Sequence, residues 1–285
     1  GRKEILYKDN QTIYLDEGAL VYGSIYAKGC RNLTIRGRGI LCSSKENHGD
    51  GRQPQIETFD CNGFKVEGIL LRDTPNWTLK IVGSTGVHID NIKEIGWIMN
   101  SDGMDFICCR NVLVENTFQR NYDDNVTIKA FNGKTDYVTA HTASDGSFTD
   151  ASIWTVYYLA QNKFDVYDYE IRNCVFWADK AHNMLVGPEA RGIAFRNIRF
   201  HDNIVLENRQ NGRITGVKDI KSFDEKEILL FTQAGKLVIK GEQLHVKGLD
   251  LEKGKAGIEG KINSLIYLSR NTPPKKEKLI KRMFR

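Results

Sequence analysis

No run of about 18 apolar residues occurs anywhere in these 285 residues, so no segment reads as a membrane-spanning helix. Zinc-ligand spacing is missing too. The six cysteines stand at 30, 42, 61, 108, 109 and 174, none with a histidine partner at metal-site intervals, and alone they fix no redox compartment. A secretory leader is also lacking. The chain opens Gly1-Arg2-Lys3-Glu4 in mid-flow and residues 10–25 already read as strand. The expectation is a numbering that begins after processing or truncation, and a protein that works in an extracellular or periplasmic setting. Basic residues are not interleaved with aromatics. The net charge of +5 sits in the tail, where Lys275, Lys276, Lys278, Lys281, Arg282 and Arg285 face only Glu277. Such a run is a solvated end rather than a nucleic-acid surface, so neither nucleic acid nor a membrane is expected as a partner.

What is present is a repeat in an otherwise ordinary globular composition, 40% apolar and 27% charged. One phrase returns: apolar, any, apolar, any, then Gly or Asn. It appears as Leu33-Thr34-Ile35-Arg36-Gly37, Phe64-Lys65-Val66-Glu67-Gly68, Val87-His88-Ile89-Asp90-Asn91 and Val112-Leu113-Val114-Glu115-Asn116. It returns as Tyr169-Glu170-Ile171-Arg172-Asn173 and Ile193-Ala194-Phe195-Arg196-Asn197. The spacings are 31, 23, 25, 57 and 24, and the 57 reads as two coils with one divergent coil inside 126–160. Alternation at period two is a strand with one buried face, and strands this short must stack to bury it. No helical period separates them, which excludes β-α-β crossovers, and hairpin dipeptides are scarce, which argues against a sandwich. The expected fold is an all-β, right-handed parallel β-helix. Cys30, Cys61, Ser84 and Cys109 each stand three residues before the first apolar position, a column of small residues suited to an interior corner. After about residue 220 the phrase fades, and residues 227–241 read as two strands and a turn. The expected organisation is a β-helix catalytic domain over 1–220, then closing coils or a small C-terminal extension with the basic tail over 221–285.

Asp102 precedes Phe106 by four residues and Asp124 precedes Ile128 by four, which stacks the two on adjacent rungs with Asp123 alongside. Trp77, four before Ile81, and His182, four before Val186, fall in the same column. Crowded carboxylates repel, so at least one should hold its proton above the usual range, as acid–base chemistry requires. Glycoside hydrolysis needs one carboxyl to protonate a leaving oxygen and one carboxylate to activate water or attack. Asp102, Asp123 and Asp124 are therefore candidate catalytic residues. Trp77 is placed to stack on a sugar, and His182 to hold a carboxylate or a hydroxyl. Turn-forming aspartates and a calcium site are the competing readings of the trio, and neither a metal nor a cofactor is expected.

These residues carry a family resemblance. Asn100-Ser101-Asp102-Gly103-Met104-Asp105 resembles the Asn-Thr-Asp-Gly-Ile-Asp motif of polygalacturonases, glycoside hydrolase family 28, and Asp123-Asp124 resembles that family's Asp-Asp pair. Ala181-His182-Asn183-Met184-Leu185-Val186-Gly187 is similar to its Gly-His-Gly-Ile-Ser-Ile-Gly stretch. Asn211-Gly212-Arg213-Ile214-Thr215 is similar to its Arg-Ile-Lys motif, with Thr215 where the uronate-gripping lysine stands. Arg172-Asn173-Cys174-Val175-Phe176-Trp177 and Tyr14–Gly23 resemble family 49, the dextranases and isopullulanases, whose N-terminal β-sandwich this chain lacks. The resemblance spans roughly 10–215. It implies an inverting hydrolase acting on a carbohydrate without a metal, Asp123 as general acid, and Asp102 and Asp124 holding the water. Asn100, Asp105, Lys129 and Arg213 join Trp77 and His182 as candidate substrate-binding residues. The alternatives are a polysaccharide lyase on the same fold, or a non-catalytic carbohydrate-binding β-helix. Residues 126–165, which depart from the repeat directly after the aspartate pair, are expected to wall one end of a cleft.

Overall fold

The computed structural model describes residues 4–6, 8–46, 54–130, 166–188, 190 and 194–268. Their short strands form a right-handed parallel β-helix with three sheets. The first sheet stacks Glu4–Leu6, Ser24–Lys28, Ile56–Phe59, Leu79–Val82, Met104–Ile107, Val126–Lys129 and Met184–Val186. The second runs from Thr12–Leu15 to Phe195–His201, and the third from Leu20–Tyr22 through Lys93–Ile95 and Phe118–Asn121 to Ile204–Glu207.

The repeat phrase builds the second sheet. Leu33, Phe64, Val87, Val112 and Tyr169 pair rung to rung, and so do Ile35, Val66, Ile89, Val114 and Ile171. All ten are buried. Each such side chain contributes about 1.5–3 kcal/mol by leaving water, which a lone strand could not collect. The residue that ends the phrase turns the chain at positive φ: Gly37, Gly68, Asn91, Asn116 and Asn173. At Gly37 a Cβ would lie 1.9 Å from the Leu15 carbonyl oxygen, so glycine is required there. The small-residue column is also interior. Cys30, Cys61, Ser84 and Cys109 are buried, and the Ser84 hydroxyl accepts the Cys61 N–H at 3.1 Å.

Two expectations about the repeat are corrected. Val112 pairs directly with Tyr169, so the 57-residue interval is a single step between rungs. No divergent coil intervenes in the stack. Residues 131–165, including most of the segment expected to wall the cleft, lie outside the described residues, as does the basic tail. In the last coil the partner of Tyr169 is Ile198, not Ile193. The phrase there is Ile198-Arg199-Phe200-His201-Asp202, with Asp202 at φ 56° in the place of Asn.

Beyond Glu207 the sheet changes character. Asn208 and Arg209 both adopt positive φ, the chain reverses, and Asn211–Thr215 pairs antiparallel with Ile204–Glu207. Lys255–Leu268, Lys236–Asp250, Glu227–Thr232 and Val217–Phe223 then extend the third sheet to twelve strands. A second core of Ile214, Ile228, Leu230, Leu237, Ile239, Ile258 and Ile262 packs around Ile204 and Leu206 of the last coil. This unit covers the sheet edge that the final coil would otherwise expose.

Candidate active site

The turns between the third and first sheets gather the aspartates. Ile81, Phe106, Ile128 and Val186 are register partners, so the residues four positions before each share a column. Backbone bonds link its rungs. The N–H groups of Thr78, Gly103 and Asn125 donate to the carbonyls of Asp102 (2.7 Å), Asp124 (2.8 Å) and His182 (2.9 Å). Oxygens of Asp102, Asp123 and Asp124 all lie within 4.8 Å of one another.

The three carboxylates differ in setting. Asp123 is held by the chain itself: one oxygen accepts the Asn100 N–H and the other the Asp124 N–H, both at 3.0 Å. Asn100 reaches it from a left-handed backbone, φ 63°. Asp124 accepts both the backbone N–H of His182 (2.8 Å) and a contact from its ring Nδ1 (3.2 Å), and that ring is largely exposed. Asp102 is buried. Its burial, and then the charge of Asp105, push its carboxyl up to about 9, with Lys129 opposing and Asp123 and Asp124 adding to the rise.

Asp105 lies fully buried beside this trio. Lys129 Nζ is 3.0 Å from its carboxylate and the Thr127 hydroxyl donates to the same oxygen. Burial pushes the Asp105 carboxyl up and Lys129 opposes it. Lys129 also lies 4.1 Å from the centre of the Trp77 ring. One face of the Trp77 ring thus carries a cation. Two partners in this row were missed from the sequence. Glu57, Lys80, Asp105 and Thr127 are register neighbours on the outward side of the first sheet, and Lys80 pairs with Glu57 at 2.9 Å while standing 5.7 Å from Trp77. Counting back one rung at a time from Asp105, by 25 and then 23 residues, would have found both. Arg213 pairs with Glu207 across the first antiparallel hairpin. The Thr215 hydroxyl bonds the backbone of Asn203.

Three close carboxylate oxygens could ligate a cation, but calcium takes about six to eight oxygens and Lys129 stands near enough to oppose one. His88, Asp90 and Glu115 form a second such group on the second sheet, where Glu115 is already engaged by His88 (3.0 Å) and Arg172 (2.9 Å). All six cysteines are buried and free, and burial raises the thiols of Cys61, to about 11, and Cys174, to about 12. They serve as small interior groups rather than as nucleophiles.

The rungs that carry the trio fall within a match to a known family. The model of glycosyl hydrolases family 28 matches residues 24–213, about two thirds of the chain. The chain belongs to that family. Its family 28 region carries every aspartate described above. The YabP family matches residues 199–273. The spore protein YabP of Bacillus subtilis (strain 168) is 36% identical over 85 residues, which is 84% of that protein and 30% of this chain. The C-terminal unit belongs to the YabP family, and the two matches overlap where the last parallel strand meets the first antiparallel ones. Among solved structures, the family 28 exopolygalacturonase of Yersinia enterocolitica superposes with a TM-score of 0.53 at 14% identity, over 72% of this chain and 52% of its own. A hyperthermoactive exopolygalacturonase from Thermotoga maritima gives 0.42 at 16%, over 73% and 68%. This family 28 chain therefore spans about half the length of the Yersinia enzyme, and at such identity the likeness concerns the fold alone.

Proposed function

We propose that the β-helix hydrolyses a glycosidic bond of a polysaccharide with Asp102, Asp123 and Asp124, with inversion at the anomeric carbon. The observation that carries this reading is the trio itself, one member buried with its carboxyl pushed up, beside two more accessible carboxylates. A water accepted at about 2.7–2.8 Å by each of two oxygens needs them no more than roughly 5.5 Å apart. The oxygens of Asp102 and Asp124 lie within 4.8 Å. Water held there attacks the anomeric carbon and gives up a proton to a carboxylate. The C–O bond to the leaving sugar breaks, and its oxygen takes a proton from Asp123, the acid that the family resemblance implies.

The resting charges add one step. Burial favours the proton on Asp102, while both Asp123 oxygens accept backbone N–H groups that fix its carboxyl in place. Asp102 must pass its proton to Asp123 before attack, through the water between them. Asp102 then becomes a base and Asp123 the acid, with no net charge moved into the site. Removing the true acid is rescued by a substrate whose leaving group needs no proton. An activated aryl glycoside is expected to restore Asp123→Asn and not Asp102→Asn; the reverse result reassigns the acid.

Galacturonan is one candidate substrate, from the exopolygalacturonase relatives. The uronate-gripping lysine is replaced by Thr215, so neutral glucans stand beside it. Reducing-sugar release across polygalacturonate, rhamnogalacturonan, dextran, pullulan and carrageenan, with and without EDTA, tests the reading. Release from one polymer, insensitive to EDTA, supports it. Unsaturated ultraviolet-absorbing products abolished by EDTA would indicate a lyase. Glycan binding without release would indicate a binding protein. Proton NMR of the first-formed anomer tests inversion.

The C-terminal unit supports a second reading, carried by its likeness to the spore protein YabP. We propose that it attaches the β-helix to a forming spore rather than taking part in hydrolysis. A fluorescent fusion of this chain in a spore-forming bacterium should mark the forming spore and lose that pattern when residues 217–268 are deleted. An unchanged pattern removes the idea.

A further inference from the structure

Behind the turn that carries Asp102 lies a cluster of polar side chains that the proposed chemistry does not use. Glu94 points into the β-helix from the third sheet and is fully buried. Its rung partners are Leu71 and Gln119, neither charged, and Gln119 Nε2 donates to Glu94 Oε2. The charged group that faces it from another strand is Asp105.

The oxygens here outnumber the donors. Glu94 Oε1, Gln119 Oε1 and Asn121 Oδ1, which as a carboxylate and two amide oxygens can only accept, are buried without a hydrogen-bond partner, and so is the Ser101 hydroxyl, which can donate to one of them. Leaving four polar atoms unpaired in a core costs far more than pairing them. A proton on Glu94 converts one acceptor into a donor and lets a neighbouring oxygen accept it. No cation among the described residues lies against Glu94 to compensate a negative charge instead.

The cluster also touches the site from behind. A Cβ built on Gly103 would lie 2.3 Å from Gln119 Nε2 and 2.6 Å from Asn121 Nδ2, so both amides press on the turn next to Asp102. Asn121 donates to Asn125 (2.9 Å), and Asn125 to Asn183 (2.8 Å). Asn183 closes the row on the Leu206 carbonyl (3.1 Å) and accepts the Ala178 N–H. Asn125 follows Asp124 and Asn183 follows His182. One interior row of amides therefore backs all three rungs of the site.

We infer that Glu94 is a positioning residue which, as a neutral carboxylic acid, anchors this amide row and fixes the Asp102, Asp124 and His182 rungs. The inference rests on the hydrolase reading for its purpose, not for its test. Burial independently pushes the Glu94 carboxyl up to about 8, which keeps it neutral at pH 7. An ionised Glu94 would set a negative charge against Asp105 and the trio beyond it.

The test uses the full chain and three readouts. Infrared difference spectra at pH 7, taken between the parent and Glu94→Gln in an Asp102→Asn background, should show loss of a protonated-carboxyl C=O band. The melting temperature of the parent should fall as pH rises from about 5 to 8, because the folded state alone keeps the proton there. Glu94→Gln, which keeps a donor and an acceptor without titrating, should show a flatter fall; the rest of the slope belongs to Asp102 and Asp105, whose carboxyls burial also pushes up. On any polymer the parent cuts, Glu94→Gln should keep kcat within about threefold and Glu94→Leu should lose tenfold or more in kcat at similar KM. An unchanged band with an unchanged pH slope overturns the inference, and so does a Glu94→Gln chain that fails to fold. A parent silent on every polymer defeats the hydrolase reading alone, since the spectra and melting curves still decide the state of Glu94.

Discussion

Replacing Lys129 by methionine removes the ammonium 3.0 Å from Asp105 and keeps an apolar stem near Trp77. Asp105 is then a fully buried carboxylate with the Thr127 hydroxyl as its remaining close donor, and its second oxygen already has no partner. Breaking a buried pair by removing one member costs about 3–5 kcal/mol. A domain of this size shifts its Tm by about 2–4 °C per kcal/mol, so the variant should melt roughly 6–20 °C below the parent at pH 7. The sign with pH follows from Asp105. Without Lys129 its folded-state pKa rises further above the unfolded value of about 3.9, so stability is intact below that value and is lost as pH rises. The deficit should be small near pH 4 and full near pH 7. The double variant Lys129→Met with Asp105→Asn should recover much of the loss, because no buried charge remains. Differential scanning calorimetry of parent, single and double variants at both pH values reads all of this. A single variant within about 1 kcal/mol of the parent at pH 7, or a deficit equal at the two pH values, would refute the buried-pair account.

Gly103→Ala drives a Cβ into Gln119, Asn121 and the Asn125 carbonyl at 2.3–2.6 Å. It should cost about 1–3 kcal/mol in chemical denaturation and lower kcat by displacing Asp102. The six cysteines, buried and free, should react with a thiol reagent in the native protein only at the rate of global opening, and stoichiometrically in denaturant. Rapid labelling of the native chain would contradict the interior column. If the shared proton is essential, activity should fall on the alkaline side as Asp102 loses it near pH 9, and a pH–rate profile flat through pH 10 would remove that proton from the account.

The repeat was legible because stacking strands leave the same signature on each rung: two inward apolar residues and a positive-φ residue after them. It misled where that signature occurred without its partner. Ile193-Ala194-Phe195-Arg196-Asn197 has the right spelling, but the rung forms five residues later, where Asp202 takes the turn that Asn takes elsewhere. The 57-residue interval looked like two coils because sequence distance does not reveal that Val112 and Tyr169 are hydrogen-bonded neighbours. The shared column of Trp77, Asp102, Asp124 and His182 could be read by counting four residues back from inward positions. What counting could not show is which groups are buried together. Glu94 sits in a strand of three residues, too short for alternation to reveal its direction. The Lys129–Asp105 and Lys80–Glu57 pairs depend on outward residues that the fold nonetheless buries. The membership of the last strands in a second family left no trace in the fading repeat beyond the two strands and a turn.

The most direct measurement is the release of reducing ends, from whichever polymer the parent cuts, by Asp102→Asn, Asp123→Asn and Asp124→Asn chains whose circular dichroism and melting match the parent. The account predicts a fall of at least about a hundredfold in kcat for each, the lower end of what a positioned acid or base contributes. Three folded variants that hydrolyse the polymer as the parent does would show that the chemistry lies elsewhere in the chain.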